Sequence, residues 1–319
     1  MNINNKIYSW GTPDLYIKFL DNFKMNAFGE GKYKILDDYN IIAYFGGREH
    51  DIKFIDNYNK FISVRRDDLC VITGTLIKNR KVISFNLWGN NPTYTIGAIR
   101  NAEQAKNIYP DFECWFYIHK DSVPQKIINE LQKFDNVKII FKNGDLNTCK
   151  PMMWRFEAID DPEVEIMMSR DTDTRFWLRE KLAVEEWLQS GKLFHIMRDH
   201  PFHKPKISGG MFGTRKIPQI KNWKVLIDNY DQRNSYGYIQ KNYGYDQNFL
   251  EEFIYPEIKD NSIIHASFFK YEEYAKDFPI PYDEKYNFVG EYVYADESRN
   301  QDNINHLINS LCFNWNIIN

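Results

Sequence analysis

What this sequence lacks narrows the reading first. No run of about eighteen apolar residues occurs, so no segment reads as a membrane-spanning helix. The opening Met1-Asn2-Ile3-Asn4-Asn5-Lys6 is polar and the apolar residues after it are interrupted, so no signal core is expected there. Neither Gly-x-Gly-x-x-Gly nor Gly-Lys-Ser/Thr is present, which speaks against a dinucleotide cofactor and against P-loop ATP. Cysteine is scarce: Cys70, Cys114, Cys149 and Cys312 stand apart, without metal-ligand spacing. Reduced thiols in a cytoplasmic protein are the expectation. A basic surplus is missing too. Lys and Arg number 41 against 44 Asp and Glu, a net charge of -3, so a general nucleic-acid binder is not expected.

What is present is enough apolar material for a core. In 319 residues 43% are hydrophobic, which supports one large domain or two. Aromatic residues make up 16%, shared between core packing and any base- or sugar-binding surface. Residues 1–78 carry short alternating runs (Ile41–Phe45, Asp51–Phe54, Phe61–Val64, Leu69–Thr73) between Gly and Asn/Asp turns. They predict a small antiparallel β module entered by a short helix near Pro13 to Phe23. Its surface residues Arg48, His50, Arg65 and Arg66 either touch a ligand or belong to a structural or oligomer-contact add-on.

From residue 79 the pattern changes. Val82–Trp88, Phe112–His119 and Val137–Phe141 read as strands, with helices at Ile96–Ile108 and Val123–Phe134 between them. Strand–helix alternation with short connections predicts a doubly wound, mostly parallel α/β sheet over 79–319. Ligands bind such sheets outside the carboxyl ends of the strands. Trp88 to Thr95 lies at one such end.

The stretch most loaded with chemistry is Val164 to Arg175. A short apolar strand stops at Ser169-Arg170 and delivers Asp171 and Asp173. In extended backbone, residues two apart share a face, so both carboxylates can converge on one hard cation, Mg²⁺ or Mn²⁺. A diphosphate would be the natural third partner, with Arg170 and Arg175 in reach of the same phosphates. A solvated turn after a strand is the plain alternative. Further on, a helix over Phe176–Gln189 precedes Phe194–His203, a strand running into Asp199, His200 and His203. Gly209-Gly210 either lets backbone approach a ligand or makes a tight turn. Asp246 opens an apolar helix as its N-cap or serves chemistry. Ser262–His265 is a short strand ending in histidine. Residues 297–319 read as an amphipathic helix (Leu307, Ile308, Leu311, Phe313, Trp315) that packs on the core, with a membrane or dimer contact as the other option.

Several of these stretches resemble the nucleotide-sugar glycosyltransferases of the GT-A fold, and more narrowly a bacterial and large-virus group of them. The likeness is carried by Ser84-Phe85-Asn86-Leu87-Trp88-Gly89, Trp154-Arg155-Phe156, Ser169–Arg175 and Arg179–Ala183. It continues in Phe194–Pro201, Gly209–Gly213, Asp246–Leu250 and Phe288–Gly290, and covers roughly residues 82–292. The resemblance implies a GT-A-like domain in which Asp171 and Asp173 form the Asp-x-Asp that holds Mn²⁺ or Mg²⁺ on the donor diphosphate. His265 matches the late histidine that completes the metal site, although His265-Ala266-Ser267 replaces the group's usual His-Asp-Ser. Asp246 matches the acidic residue near the acceptor, the general base of an inverting mechanism; without such a base, retention is expected. Trp88, Arg155, Arg170, Arg175, Asp199, His200, Gly209 and Gly210 are the implied donor-binding residues, and Arg198, Asp199, His200 and His203 are expected to face the sugar or acceptor. The expected substrates are a nucleotide sugar, most simply a UDP-sugar, and a glycan or lipid-linked acceptor. Three other readings compete: a non-catalytic sugar- or nucleotide-binding protein on a transferase fold, a metal-dependent phosphatase built on Asp171-Thr172-Asp173-Thr174, and a nucleotidyltransferase. The phosphatase motif normally lies on the first strand, and here it follows three.

Overall fold

The computed structural model describes residues 3, 4, 6–216, 222–234, 241 and 243–318, with side chains described throughout these except at 13, 14 and 313–318. Phe313 and Trp315 of the expected amphipathic helix therefore lie outside the described side chains. The chain divides into two compact units, Met1–Asn79 and Arg80–Asn319.

The first unit is a closed antiparallel barrel of β1 (Ile7–Trp10), β2 (Thr12–Phe19), β3 (Lys24–Asn26), β4 (Glu30–Ile35), β5 (Asn40–Phe45), β6 (Arg48–Ile55), β7 (Lys60–Arg65) and β8 (Val71–Ile77). Each strand pairs with the next, and β1 closes on β8 through Ile7 opposite Ile77. Alternation builds it: in β6, His50, Ile52 and Phe54 point inward while Asp51, Lys53 and Ile55 face out. At Gly46-Gly47 both residues take left-handed φ (58° and 76°), which makes the two-residue hairpin between Phe45 and Arg48. Two expectations are corrected. The segment from Pro13 enters strand β2 and not a helix: over 16–19 Tyr16 is exposed and Lys18 half-buried while Ile17 and Phe19 are buried, a period of two. His50 is no surface residue: its ring stacks on Phe45 with centroids 4.3 Å apart, and its Nδ1 lies 3.3 Å from Ser63 Oγ. The module is thus a full eight-stranded barrel around an aromatic core of Tyr8, Phe19, Phe54 and Phe61.

The second unit is a mixed α/β sheet. In chain order it contains β9 (Arg80–Leu87), α1 (Pro92–Ile108), β10 (Phe112–His119), α2 (Gln125–Leu131), β11 (Val137–Lys142), a 3-10 helix Lys150–Asp160, β12 (Val164–Ser169), α3 (Leu178–Ser190), β13 (Phe194–Arg198) and β14 (Phe212–Arg215). There follow α4 (Trp223–Arg233), α5 (Tyr245–Phe249), a π turn Leu250–Ile254, α6 (Tyr255–Ile258), β15 (Ser262–Ala266) and α7 (Gln301–Ile318). The spatial order is β11-β10-β9-β12-β14-β13-β15. Strands β9 to β12 are mutually parallel, as are β13 and β15, but β14 runs antiparallel to both of its neighbours. The sheet is therefore mixed, and Phe212 to Arg215 is a strand where sequence showed only a glycine turn.

The sheet is covered on both faces. Ile83, Phe85 and Leu87 of β9 join the core against α1, α2 and α3, whereas Val82 joins the opposite one, which includes Phe156, Phe212, Tyr245 and Phe249. On that second face the inward polar residues of β9 take hydrogen-bonding duty. Ser84 Oγ donates to Arg155 O (2.6 Å) and Asn86 Nδ2 to Pro151 O (3.1 Å), which pins the 3-10 helix against the strand. The chain winds outward from β9 in one direction and from β12 in the other. Between their carboxyl ends lies the crevice where such folds receive ligands.

Candidate active site

A cavity of about 690 Å³ opens at that crevice, a size suited to a small-molecule ligand. One wall is the turn after β9, Trp88-Gly89-Asn90-Asn91, where Gly89 at φ 73° reverses the chain. Asn91 caps α1 by accepting from Thr93 N (3.0 Å), so the helix starts at the cavity rim with Tyr94 inside it. The other wall is the turn after β12, which presents Asp171, Thr172 and Asp173.

That turn is clamped from several sides. Asp171 O accepts from Thr174 Oγ1 (2.9 Å), Thr172 O from Asn101 Nδ2 (3.1 Å), and Asp173 O from Val293 N (2.8 Å). Gly97 of α1 sits directly against Thr172: a Cβ there would stand 3.1 Å from Thr172 C and closer still to its carbonyl oxygen. The backbone carrying the two carboxylates is thus fixed, which holds their side chains at the cavity. Burial and the neighbouring Asp171 charge raise the pKa of Asp173 to about 7.

Arg155, from the 3-10 helix, is buried beside them. Its Nη1 donates to Arg170 O (3.1 Å) and pairs with Asp171, while Nη2 donates to Asp246 Oδ2 (2.8 Å). One guanidinium therefore ties a carboxylate from β12 to a carboxylate from α5. Asp246 is buried and lines the cavity, and its Oδ1 also accepts from Gln247 N (2.9 Å). Burial raises its pKa, against the Arg155 charge that lowers it. It is not the cap of its helix, a position held by Gly244. Gly209 and Gly210 make this crowding possible. A Cβ on Gly209 would stand 2.5 Å from Arg155 Nη2 and one on Gly210 2.6 Å from Asp171 Cγ. Both glycines line the cavity, and what approaches them is the carboxylate cluster.

The structure brings Trp88, Arg155, Asp171, Asp173, His203, Gly209, Gly210 and Asp246 to one cavity and leaves Arg170, Arg175, Asp199, His200 and His265 outside it. Arg170 is turned into the core, where Nε donates to Glu180 Oε1 (2.7 Å) and Nη1 to Phe212 O (2.9 Å). Arg175 pairs with Glu297 at 2.8 Å. Asp199 is wholly buried and accepts from Arg179, Ser267, Tyr282 and Val289 N. His200 Nε2 is 2.9 Å from Asn303 O and its Nδ1 accepts from Phe202 N. His265, at the end of β15, is buried between His195 (2.9 Å) and Glu186 (3.1 Å), so both of its ring nitrogens are engaged away from the aspartates. Local sequence gave each of these the right neighbours for a site, but the side chains point into the core. Among the described residues no group of three or more His, Cys, Asp or Glu side chains stands together as a metal site. Cavity residues that sequence did not single out for the site include Tyr94, Tyr243 and Gln247.

Fold and site together define a mixed α/β unit with a carboxylate-lined cavity at the carboxyl ends of two adjacent parallel strands. No family model matches the chain, and no curated protein matches it. Among solved structures, similarity is found to a glycosyltransferase involved in the glycosylation of the major capsid of PBCV-1 (TM-score 0.38, 13% identity, 59% of this chain and 81% of that one). Galactosyltransferase LgtC in complex with donor and acceptor sugar analogues gives TM-score 0.36 at 12% identity, over 58% of this chain and 73% of that one. The 4-diphosphocytidyl-2C-methyl-D-erythritol synthase of Anaerococcus prevotii gives TM-score 0.36 and 12% identity, over 59% and 87%. Likenesses at this level do not by themselves define an activity. Among the described residues, no helix is long and apolar enough to cross a membrane.

Proposed function

We propose that this protein is a metal-dependent glycosyltransferase that moves a sugar from a nucleotide sugar, most simply a UDP-sugar, to a hydroxyl of a glycan or lipid-linked acceptor. The observation that carries the reading is the placement of Asp171 and Asp173 on a clamped turn lining a ligand-sized cavity, between β9 and β12, from which the chain winds outward in opposite directions. The donor set fits Mg²⁺ or Mn²⁺: two carboxylates, hard oxygen ligands, close enough that one raises the pKa of the other. Two protein ligands suffice where substrate phosphates supply the others, which is the usual arrangement for Mg²⁺. When bound, the metal supplies charge neutralisation for a departing diphosphate.

Charge balance points the same way. Among the described residues, Asp171, Asp173 and Asp246 line the cavity against one guanidinium, Arg155, so a diphosphate would meet net negative charge unless a cation came with it. In this reading the Trp88–Asn91 turn faces the nucleoside, and the N-terminus of α1 favours the phosphates. Arg155 braces Asp171 and Asp246 at a fixed separation. Asp246 is the candidate base for the acceptor hydroxyl, which would give inversion at the anomeric carbon.

The test is a donor screen with purified protein, Mn²⁺ and a panel of nucleotide sugars, following nucleoside diphosphate release, beside Asp173→Ala. Release from one donor, lost with EDTA and in the variant, is the expected result. Pyrophosphate as the product would make it a nucleotidyltransferase instead. No turnover and no metal-dependent nucleotide binding would leave the binding-protein reading in its place. The cytoplasm is the proposed compartment.

A further inference from the structure

Along the cavity the elements follow a fixed order. Strand order β9-β12-β14-β13 sets it: the Trp88–Asn91 turn follows β9, the Asp171/Asp173 turn follows β12, and Gly210, just before β14, lies against Asp171. Beyond Gly210, Met211 packs on Gly290, and Gly290 on the ring of His203: a Cβ at Gly290 would stand 3.2 Å from Met211 Cγ and 3.3 Å from His203 Cε1. His203 thus lines the cavity on the side of the aspartates away from β9. Its Nδ1 accepts a hydrogen bond from Asp199 N at 3.1 Å. A ring nitrogen that accepts carries no proton, so in the neutral ring the proton sits on Nε2. Among the described residues no hydrogen-bond partner stands opposite Nε2. Burial pushes the imidazole pKa down to about 3, which keeps the ring neutral through the physiological range.

We propose that His203 Nε2–H donates to a hydroxyl oxygen of the sugar being transferred, and so helps to set which sugar the protein accepts. The inference rests on the transferase reading above. With the nucleoside at the β9 turn and the diphosphate at the aspartates, the sugar falls on the His203 side. With Nδ1 accepting from Asp199 N, Nε2–H is a donor only, which suits a sugar hydroxyl oxygen. Its neighbour His200, with both ring nitrogens engaged, has no such free group.

The experiment compares wild type, His203→Leu and His203→Gln, the last of which returns an N–H near the Nε2 position. Each is titrated with Mn²⁺ plus nucleoside diphosphate, with the intact nucleotide sugar, and with its monodeoxy-sugar analogues. The expected result is unchanged nucleoside diphosphate affinity in all three. His203→Leu should bind the sugar nucleotide about tenfold more weakly, the size of one neutral hydrogen bond, and His203→Gln should recover most of it. One deoxy analogue should lose about tenfold with wild type and nothing further with His203→Leu. Equal weakening of nucleoside diphosphate and sugar nucleotide would move the contact to a phosphate and overturn the proposal. So would undiminished discrimination between sugar and deoxy-sugar in His203→Leu. If wild type binds nucleoside diphosphate with Mn²⁺ but no nucleotide sugar, or binds neither, the transferase reading falls and this inference falls with it.

Discussion

Gly210→Ala separates the site from the fold. The backbone at Gly210 is in ordinary φ space, so the substitution adds no conformational strain, only volume. The new Cβ would stand 2.6 Å from Asp171 Cγ, where two carbons prefer about 3.5–4.0 Å, so one of them must yield by about 1 Å. The glycine side is held: Met211 N donates to Ser208 O and Met211 O accepts from Met197 N. The Asp171 backbone is held by Thr174 and its carboxylate by Arg155. The softest response is rotation of the Asp171 carboxylate away from Arg155 and from its cation-binding direction. Overpacking of this kind costs about 1–3 kcal/mol, and for a unit of this size lowers Tm by about 2–4 °C per kcal/mol. Displacing a catalytic group by about 1 Å can cost about a hundredfold in rate. The protein should therefore melt a few degrees lower but remain folded, while Mn²⁺-dependent nucleotide binding and turnover fall about a hundredfold. Calorimetric titration and thermal denaturation read both. Gly191→Ala is the control: at φ 70° with no atom within 4 Å of its Cβ, it should cost stability through the left-handed backbone and leave binding alone. Wild-type binding in Gly210→Ala would refute the assignment of Asp171.

With two protein carboxylates and, among the described residues, no cluster of three, Mn²⁺ should bind weakly alone and at least tenfold more tightly with nucleoside diphosphate, and the nucleotide should gain from Mn²⁺ by the same factor; paired titrations check the reciprocity. Because the Asp173 pKa is raised to about 7, metal affinity should weaken as pH falls below that value, by up to about tenfold per unit, as the cation must displace a proton. In metal-free protein the sign is opposite: the stabilisation from protonated Asp173 is complete below the ordinary carboxylate pKa and is lost as pH rises through about 7, which denaturation across pH will show. Arg170→Ala strands the buried Glu180 carboxylate and should destabilise by about 3–5 kcal/mol; Arg175→Ala leaves Glu297, whose side chain is 43% exposed, in water and should cost far less, both measurable by urea titration.

Arg155 accounts for much of how the cavity works. Removing its guanidinium would free two like charges in one small space, with burial already raising the Asp246 pKa. The buried Nε of Arg155 has no partner among the described residues, which leaves the head group held only through its two Nη atoms. Its position depends on Ser84, whose hydroxyl fixes the Arg155 carbonyl to β9. A polar residue in the middle of a buried strand is thus what sets the site's geometry.

Sequence alone determined the local elements of the second unit. Period-two and helical spacing placed β9, α1, β10, β11, β12 and α3 close to where they stand, since those patterns reflect which face each residue buries. It also delivered Asp171 and Asp173 to a strand end. What it could not show was the direction of each side chain once elements were packed. Arg170, Arg175, Asp199, His200 and His265 sit beside promising residues in sequence, yet each faces a partner supplied from far along the chain or from a neighbouring helix. Strand β14 was hidden because its antiparallel pairing depends on β12 and β13, not on its own four residues. The barrel was hidden for the same reason, its closure resting on the pairing of β1 with β8 across the whole unit. Local patterns record burial; only the packed chain decides which polar groups meet one another and which are left facing the cavity.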